Sequence, residues 1–154
     1  MEKINYQLKA LDTFKEVDTL PKKPTLLIHA CCGPCSSYPL TLLTEHFDVT
    51  IYYNNSNIYP ESEYIRRRDE LKRFLPLFEK DYNKKVNLII PEYNNEEYNK
   101  SLEPLKDIPE GGARCFLCYE KRMDEAYKYA SEHNFDYFCT IMTISRQKNS
   151  QVLN

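Results

Sequence analysis

No stretch of this 154-residue chain is long and apolar enough to cross a membrane. Its longest apolar run, Thr25 to Cys32, falls far short of the ~18 residues a spanning helix needs. An excess of charge is also missing. Twenty-one Lys and Arg stand against 23 Asp and Glu, a net charge of −2, which excludes a chain that is basic throughout. Any contact with nucleic acid must therefore use a local patch. Tryptophan is absent and glycine occurs three times, so there is no glycine-rich or low-complexity tract, and no internal repeat is visible. Met1 to Leu20 is polar and mixed in charge, without the apolar centre of an export signal. The expectation is one soluble, cytoplasmic domain over residues 1–154, in which 1–24 form an amphipathic lead-in.

What is abundant is thiol and phenol: six Cys and 13 Tyr. In a reducing compartment cysteines serve as ligands or redox groups more often than as stable disulfides. Thr25 to Ala30 is a continuous apolar run, as expected of a strand covered on both faces. A helix follows around Leu40, Leu43 and Phe47, started at Pro34 or capped by Ser36 or Ser37, with Pro39 placed to disturb it. Val49–Tyr53 is a second strand and Pro60 opens a long helix with an apolar stripe of Tyr64, Leu71, Phe74, Leu75 and Phe78. Val86–Ile90 is a third strand. Glu92 to Glu110 holds at most a short helix, a further helix follows Cys118, and Phe135–Thr143 is a fourth strand. Alternating strands and helices predict a three-layer α/β/α sandwich around a mostly parallel sheet.

His29-Ala30-Cys31-Cys32-Gly33-Pro34-Cys35 falls at the first strand-to-helix turn, where α/β sheets present their ligand crevice. Cys115-x-x-Cys118 follows the turn Gly111-Gly112-Ala113-Arg114, and residues three apart share a face in a helical turn. Two pairs give four thiolates, the count for an iron–sulfur cluster or a closed zinc site. The planting of one pair at the sheet's edge favours a working cluster over a chance grouping of small buried residues. Cys35, near a helix N-terminus, admits three readings: ligand to a second metal such as iron, redox or proton donor, or packing. Cys139 reads as core, and His29 as either a metal neighbour or a core histidine. Tyr52, Tyr53 and Tyr59 are placed either to stack a base or, as most of the 13 tyrosines must, to pack, and the Arg66–Arg73 helix face to meet phosphates or to form surface ion pairs.

The whole set of motifs resembles the QueH-type epoxyqueuosine reductases. It comprises His29 to Ser37, Asn57-Ile58-Tyr59-Pro60, and Glu63-Tyr64-x-x-Arg67-x-x-Glu70-x-x-Arg73-Phe74. Arg114-Cys115-x-x-Cys118-Tyr119-x-x-Arg122 and Ile144-Ser145-x-x-Lys148-Asn149 complete it. The chain departs from the family pattern at Asn54, Ser56 and Arg146. The resemblance implies a HUP-like (adenine-nucleotide α-hydrolase-like) fold and the reduction of epoxyqueuosine to queuosine at the wobble position of tRNA, without cobalamin. It implies Cys31, Cys32, Cys115 and Cys118 as ligands of a [4Fe-4S] cluster, Cys35 as catalytic, and substrate contacts from Asn57, Tyr59, Arg67, Arg73, Arg114, Ser145 and Lys148. tRNA and an electron donor are the implied partners.

Two rivals remain: a non-catalytic zinc module, and a tRNA sulfurtransferase relative. The second wants a Ser-Gly-Gly-x-Asp-Ser loop where this chain has Cys-Cys-Gly-Pro-Cys. The family also continues past this chain's last residue with a helix, a strand and a cysteine pair. The expectations drawn from that are a homodimer or a marginal monomer, and poor sustained turnover.

Overall fold

The computed structural model describes residues 5–30, 33–109 and 112–141. Along the chain run α1 (Tyr6–Asp18), β1 (Thr25–His29), α2 (Gly33–His46), β2 (Asp48–Tyr52) and α3 (Glu61–Tyr82). They are followed by β3 (Val86–Ile89), α4 (Asn95–Leu102), a 3₁₀ turn (Glu103–Leu105), α5 (Ala113–Glu132) and β4 (Tyr137–Thr140). The four strands form one sheet in the order β3-β2-β1-β4, and every pairing is parallel.

Period-two alternation sends side chains to both faces, and both faces are covered. Leu26, Ile28, Val49, Ile51 and Val86 pack with Phe14 of α1, Leu40 of α2, Phe47 just after α2, and Leu71, Leu75 and Phe78 of α3. Leu27 and Tyr52 face the other way, against Ala126 and Ala130, whose small side chains let α5 lie close to the sheet. Parallel strands with helices on the two faces thus match the expected α/β architecture.

The differences lie at the element ends. α2 begins at Gly33 rather than at a serine cap, and it runs through Pro39. A proline six residues into a helix removes only the bond to the carbonyl four residues back, here in the first turn. β4 starts two residues later than the apolar run, because Asp136 is used as a clasp, and positions 142 and 143 of that run lie outside the described residues. Its carboxylate accepts from the Thr25 backbone N–H at 2.9 Å and from Thr25 Oγ1 at 3.2 Å, tying the starts of β1 and β4 together. α3 ends at Asn83 in a left-handed conformation (φ 51°), which asparagine tolerates.

Strand order fixes where a ligand can sit. From β1 the chain moves outward through β2 to β3, whereas β4 lies on β1's other side, so the order reverses between β1 and β4. That reversal opens a crevice at the carboxyl ends of the strands. His29 Nδ1 and Thr140 Oγ1 meet across it at 3.1 Å, and the Ile141 N–H donates to the His29 carbonyl at 3.2 Å. No helix among the described residues is long and apolar enough to cross a membrane.

Candidate thiol cleft at the carboxyl edge of the sheet

Cys115 and Cys118 occupy the first two turns of α5, earlier than the sequence periodicity placed that helix. Gly112 is its N-cap, and its carbonyl accepts from the N–H of Cys115 (3.1 Å) and of Phe116 (3.3 Å). A side chain at 112 has no room: a Cβ there would stand 2.7 Å from Ile108 Cγ2 and 3.1 Å from the Pro109 carbonyl oxygen. This close approach folds the chain onto itself and delivers both cysteines to one cleft of about 340 Å³. Asn57, Tyr98, Leu102, Ile108, Arg114 and Tyr119 line it with them. The three-residue spacing does what the sequence implied.

Tyr98 of α4 points into the same place. Its hydroxyl lies 2.7 Å from Cys118 Sγ and donates to the Cys118 carbonyl at 3.0 Å. Burial, then the contact with Cys118, holds the phenol well above its ordinary range, so it stays protonated. Arg122, itself buried, donates through Nε to the Cys118 carbonyl at 3.4 Å, one turn on.

Two neighbouring asparagines connect this helix to the end of β1. Asn54 Nδ2 donates to the Arg122 carbonyl and Asn55 Nδ2 to the Ala30 carbonyl, each at 2.9 Å. Ala30 immediately precedes Cys31. Ser56, another departure from the family pattern, accepts from the Asn94 N–H at 3.1 Å and so holds the start of α4. Around this edge four buried polar atoms have no partner among the described residues: His29 Nε2 and the Oδ1 atoms of Asn54, Asn55 and Asn57. Buried polar atoms are ordinarily paired, with protein or with ordered water. Burial, with Arg122 second, lowers the His29 pKa to about 3, so its ring is neutral at ordinary pH.

Of the residues singled out from the sequence, Asn57, Arg114, Cys115 and Cys118 share the cleft. Tyr59, 77 % exposed, and Arg114 line an adjoining groove of about 510 Å³ with Lys100 and Lys106. Arg67 and Arg73 line neither. Arg67 donates to Glu63 at 2.8 Å, Arg66 binds the same carboxylate, and these bonds hold Glu63 down at about 2. Both arginines flank the α3 segment around Leu71 that lies closest to Gly33. Tyr52 and Tyr53 are corrected. They are buried, Tyr52 stacked on Tyr129 and Tyr53 donating to the Tyr64 carbonyl, so neither can stack a base. Cys139 is core, as read, and burial pushes its thiol up to about 12.

Cys31, Cys32, Ser145 and Lys148 lie outside the described residues. Cys35 lies in the first turn of α2. Among the described residues no three Cys, His, Asp or Glu gather as a metal site. The chemistry of Cys115 and Cys118 nevertheless fits an iron–sulfur cluster: two sulfurs three residues apart on one cleft, one of them met by a hydroxyl. Sequence reasoning missed Tyr98 and Asn55, and it noted Arg122 only as part of a motif and Asn54 only as a departure from the family pattern. The run of asparagines at a strand's carboxyl end was the signal for Asn55, and nothing in the sequence singled out Tyr98.

A parallel α/β domain with two cysteines on a cleft between the turn after β2, α4 and the start of α5 defines the class of α/β proteins with a ligand-sized cleft beside the carboxyl ends of the strands. Within it, the family model described as epoxyqueuosine reductase QueH matches residues 26–154. The chain is 39 % identical over 153 residues to the epoxyqueuosine reductase QueH of Streptococcus pyogenes serotype M1, covering 99 % of this chain and 60 % of that one. It is 37 % identical over 155 residues to the one from Staphylococcus epidermidis (99 % and 65 %). To the one from Thermotoga maritima it is 31 % identical over 131 residues (81 % and 62 %). The chain belongs to the epoxyqueuosine reductase QueH family, and it spans less than two thirds of the length of these curated relatives.

Proposed function

We propose that this chain carries the reductive centre of an epoxyqueuosine reductase, acting in the cytoplasm on the wobble nucleoside of tRNA. The observation that carries the reading is the cleft itself. Cys115 and Cys118 share it with Asn57 and Arg114, in a chain whose residues 26–154 match the family. The strand order 3-2-1-4 also supports a HUP-like fold, with the Cys31-Cys32 turn where nucleotide-binding relatives carry a phosphate loop.

The reaction removes the epoxide oxygen. Two C–O bonds break, a C=C bond forms, and two electrons and two protons leave the oxygen as water. A [4Fe-4S] cluster, held by Cys31, Cys32, Cys115 and Cys118, supplies single electrons when bound. An external donor delivers two electrons per turnover.

The chain's own residues handle recognition. Asn57 offers a buried Oδ1, without a partner among the described residues, as an acceptor for a donor on the modified base. Tyr59 presents an exposed ring beside the cleft, suited to a base unstacked from the anticodon loop. Glu96 and Glu103 line the adjoining groove beside Lys100, Lys106 and Arg114, and Lys100 is paired with Glu96 at 3.2 Å, so Arg114 and Lys106 are the cations this edge offers to phosphates. Cys35, in the first turn of α2, is assigned the proton- or electron-donating role at the epoxide.

Anaerobic purification followed by iron, sulfide and zinc analysis tests the centre. Incubation with epoxyqueuosine-containing tRNA and a chemical reductant tests the chemistry, read as queuosine in the nucleoside digest. A brown protein with about four irons per chain that forms queuosine is expected. A colourless protein with stoichiometric zinc would establish the zinc module instead.

A further inference from the structure

Tyr98 has one hydroxyl proton and two acceptors within reach, Cys118 Sγ at 2.7 Å and the Cys118 carbonyl at 3.0 Å. While Cys118 is a thiol, its S–H can donate to the phenol and the phenol to the carbonyl, and every group is paired. A metal-bound sulfur has no proton to give. The phenol is then the only donor of the pair, and its proton turns to the sulfur. The carbonyl is not stranded by that turn, because Arg122 Nε donates to it as well, at 3.4 Å. The ring cannot easily leave. It is 7 % exposed, and the Lys121 ammonium stands 5.0 Å from its centroid.

Hydrogen bonds to a ligand sulfur draw electron density away from iron and stabilise the reduced state of a cluster. We propose that Tyr98 is a positioning residue that donates a hydrogen bond to the Cys118 thiolate when that sulfur holds iron. By doing so it raises the reduction potential of the centre. The inference rests on the reading of Cys118 as a cluster ligand. It gives α4, which carries none of the family motifs, a role in the redox chemistry.

The test uses the full chain, reconstituted with iron and sulfide, and the variant Tyr98→Phe, which keeps the ring and removes only the hydroxyl. Three outcomes are expected. Iron and sulfide content match the parent, the midpoint of the one-electron couple moves to a more negative potential, and the deuterium sensitivity of the Fe–S(Cys) stretching bands in resonance Raman falls. A fully loaded variant with the parent's midpoint and deuterium sensitivity would overturn the proposal. So would loss of iron from a variant with a native near-ultraviolet circular dichroism spectrum, since Tyr98 would then serve assembly rather than potential. Cys118→Ala separates the two layers. Full iron in that variant removes the ligand assignment and the inference with it. Iron loss there, beside an unmoved midpoint in Tyr98→Phe, sinks the inference alone.

Discussion

Cys139 and Cys35 show how position divides one residue type between packing and chemistry. Cys139 lies in β4 among the apolar core, and burial alone lifts its thiol from 9.0 to about 12. A folded pKa above the unfolded one means that the group stabilises the fold below pH 9. That contribution drains away as the pH rises through about 12. Cys139→Ala is therefore expected to flatten the fall in stability above pH 9, measured by urea unfolding across pH. It should cost about 1 kcal/mol at neutral pH and leave iron content unchanged. Iron loss would show that the strand sulfur is more than packing. Cys35→Ser is expected to do the opposite. Most of the iron should remain in the preparation while queuosine formation falls at least tenfold, and a variant stripped of its cluster would place Cys35 among the ligands.

At the scale of elements, two glycines at two helix starts invite a comparison. A Cβ on Gly33 would meet Phe74 Cβ at 3.5 Å, an ordinary contact, whereas one on Gly112 would come within 2.7 Å of Ile108 Cγ2 and 3.1 Å of a backbone oxygen. Gly112→Ala is accordingly expected to cost about 1–3 kcal/mol and to shift the start of α5, and Gly33→Ala to cost under about 1 kcal/mol. Thermal melts and iron retention measured on the pair check both, and equal losses would contradict the packing argument. The same comparison shows what the sequence made legible. The strands were readable because burial on both faces demands continuous apolar residues, and the Cys-x-x-Cys pair because three residues make nearly one turn. The start of α5 was not, since it depends on Gly112 meeting Pro109, an encounter between backbones that no periodicity records. Tyr98 was equally hidden. It is one of 13 tyrosines, on a helix that looked polar, and only the docking of α4 against α5 brings its hydroxyl to Cys118. Tyr52 and Tyr53 failed in the other direction. They lie at the right edge of the sheet, but the helices on its two faces cover both.

For the molecule as a whole, the carboxyl edge of the sheet is held together by the turn after β2. Asn55 satisfies the carbonyl of the fully buried Ala30, and Asn54 hooks the carbonyl of Arg122 on α5, so adjacent side chains fasten two elements far apart in sequence. The two clasps are not equivalent. The Ala30 carbonyl has no other bond among the described residues, and leaving it bare in the interior costs about 1–3 kcal/mol. The Arg122 carbonyl sits mid-helix and keeps its bond from the following turn, so losing Asn54 removes a tether without stranding an acceptor. Asn55→Ala is thus expected to lower global stability by about 1–3 kcal/mol, and Asn54→Ala by about 1 kcal/mol or less. Iron retention should rank them differently. α5 carries Cys115 and Cys118, and its hold on the sheet near those thiols runs through Asn54, so Asn54→Ala should lose iron to a chelator several times faster than the parent while melting close to it. Chelation kinetics beside thermal melts, on both variants and on the double variant, decide the point. If Asn54→Ala released iron at the parent's rate, the asparagine turn would be a stabilising feature of the fold alone, and the site would draw its rigidity from elsewhere on the sheet's edge.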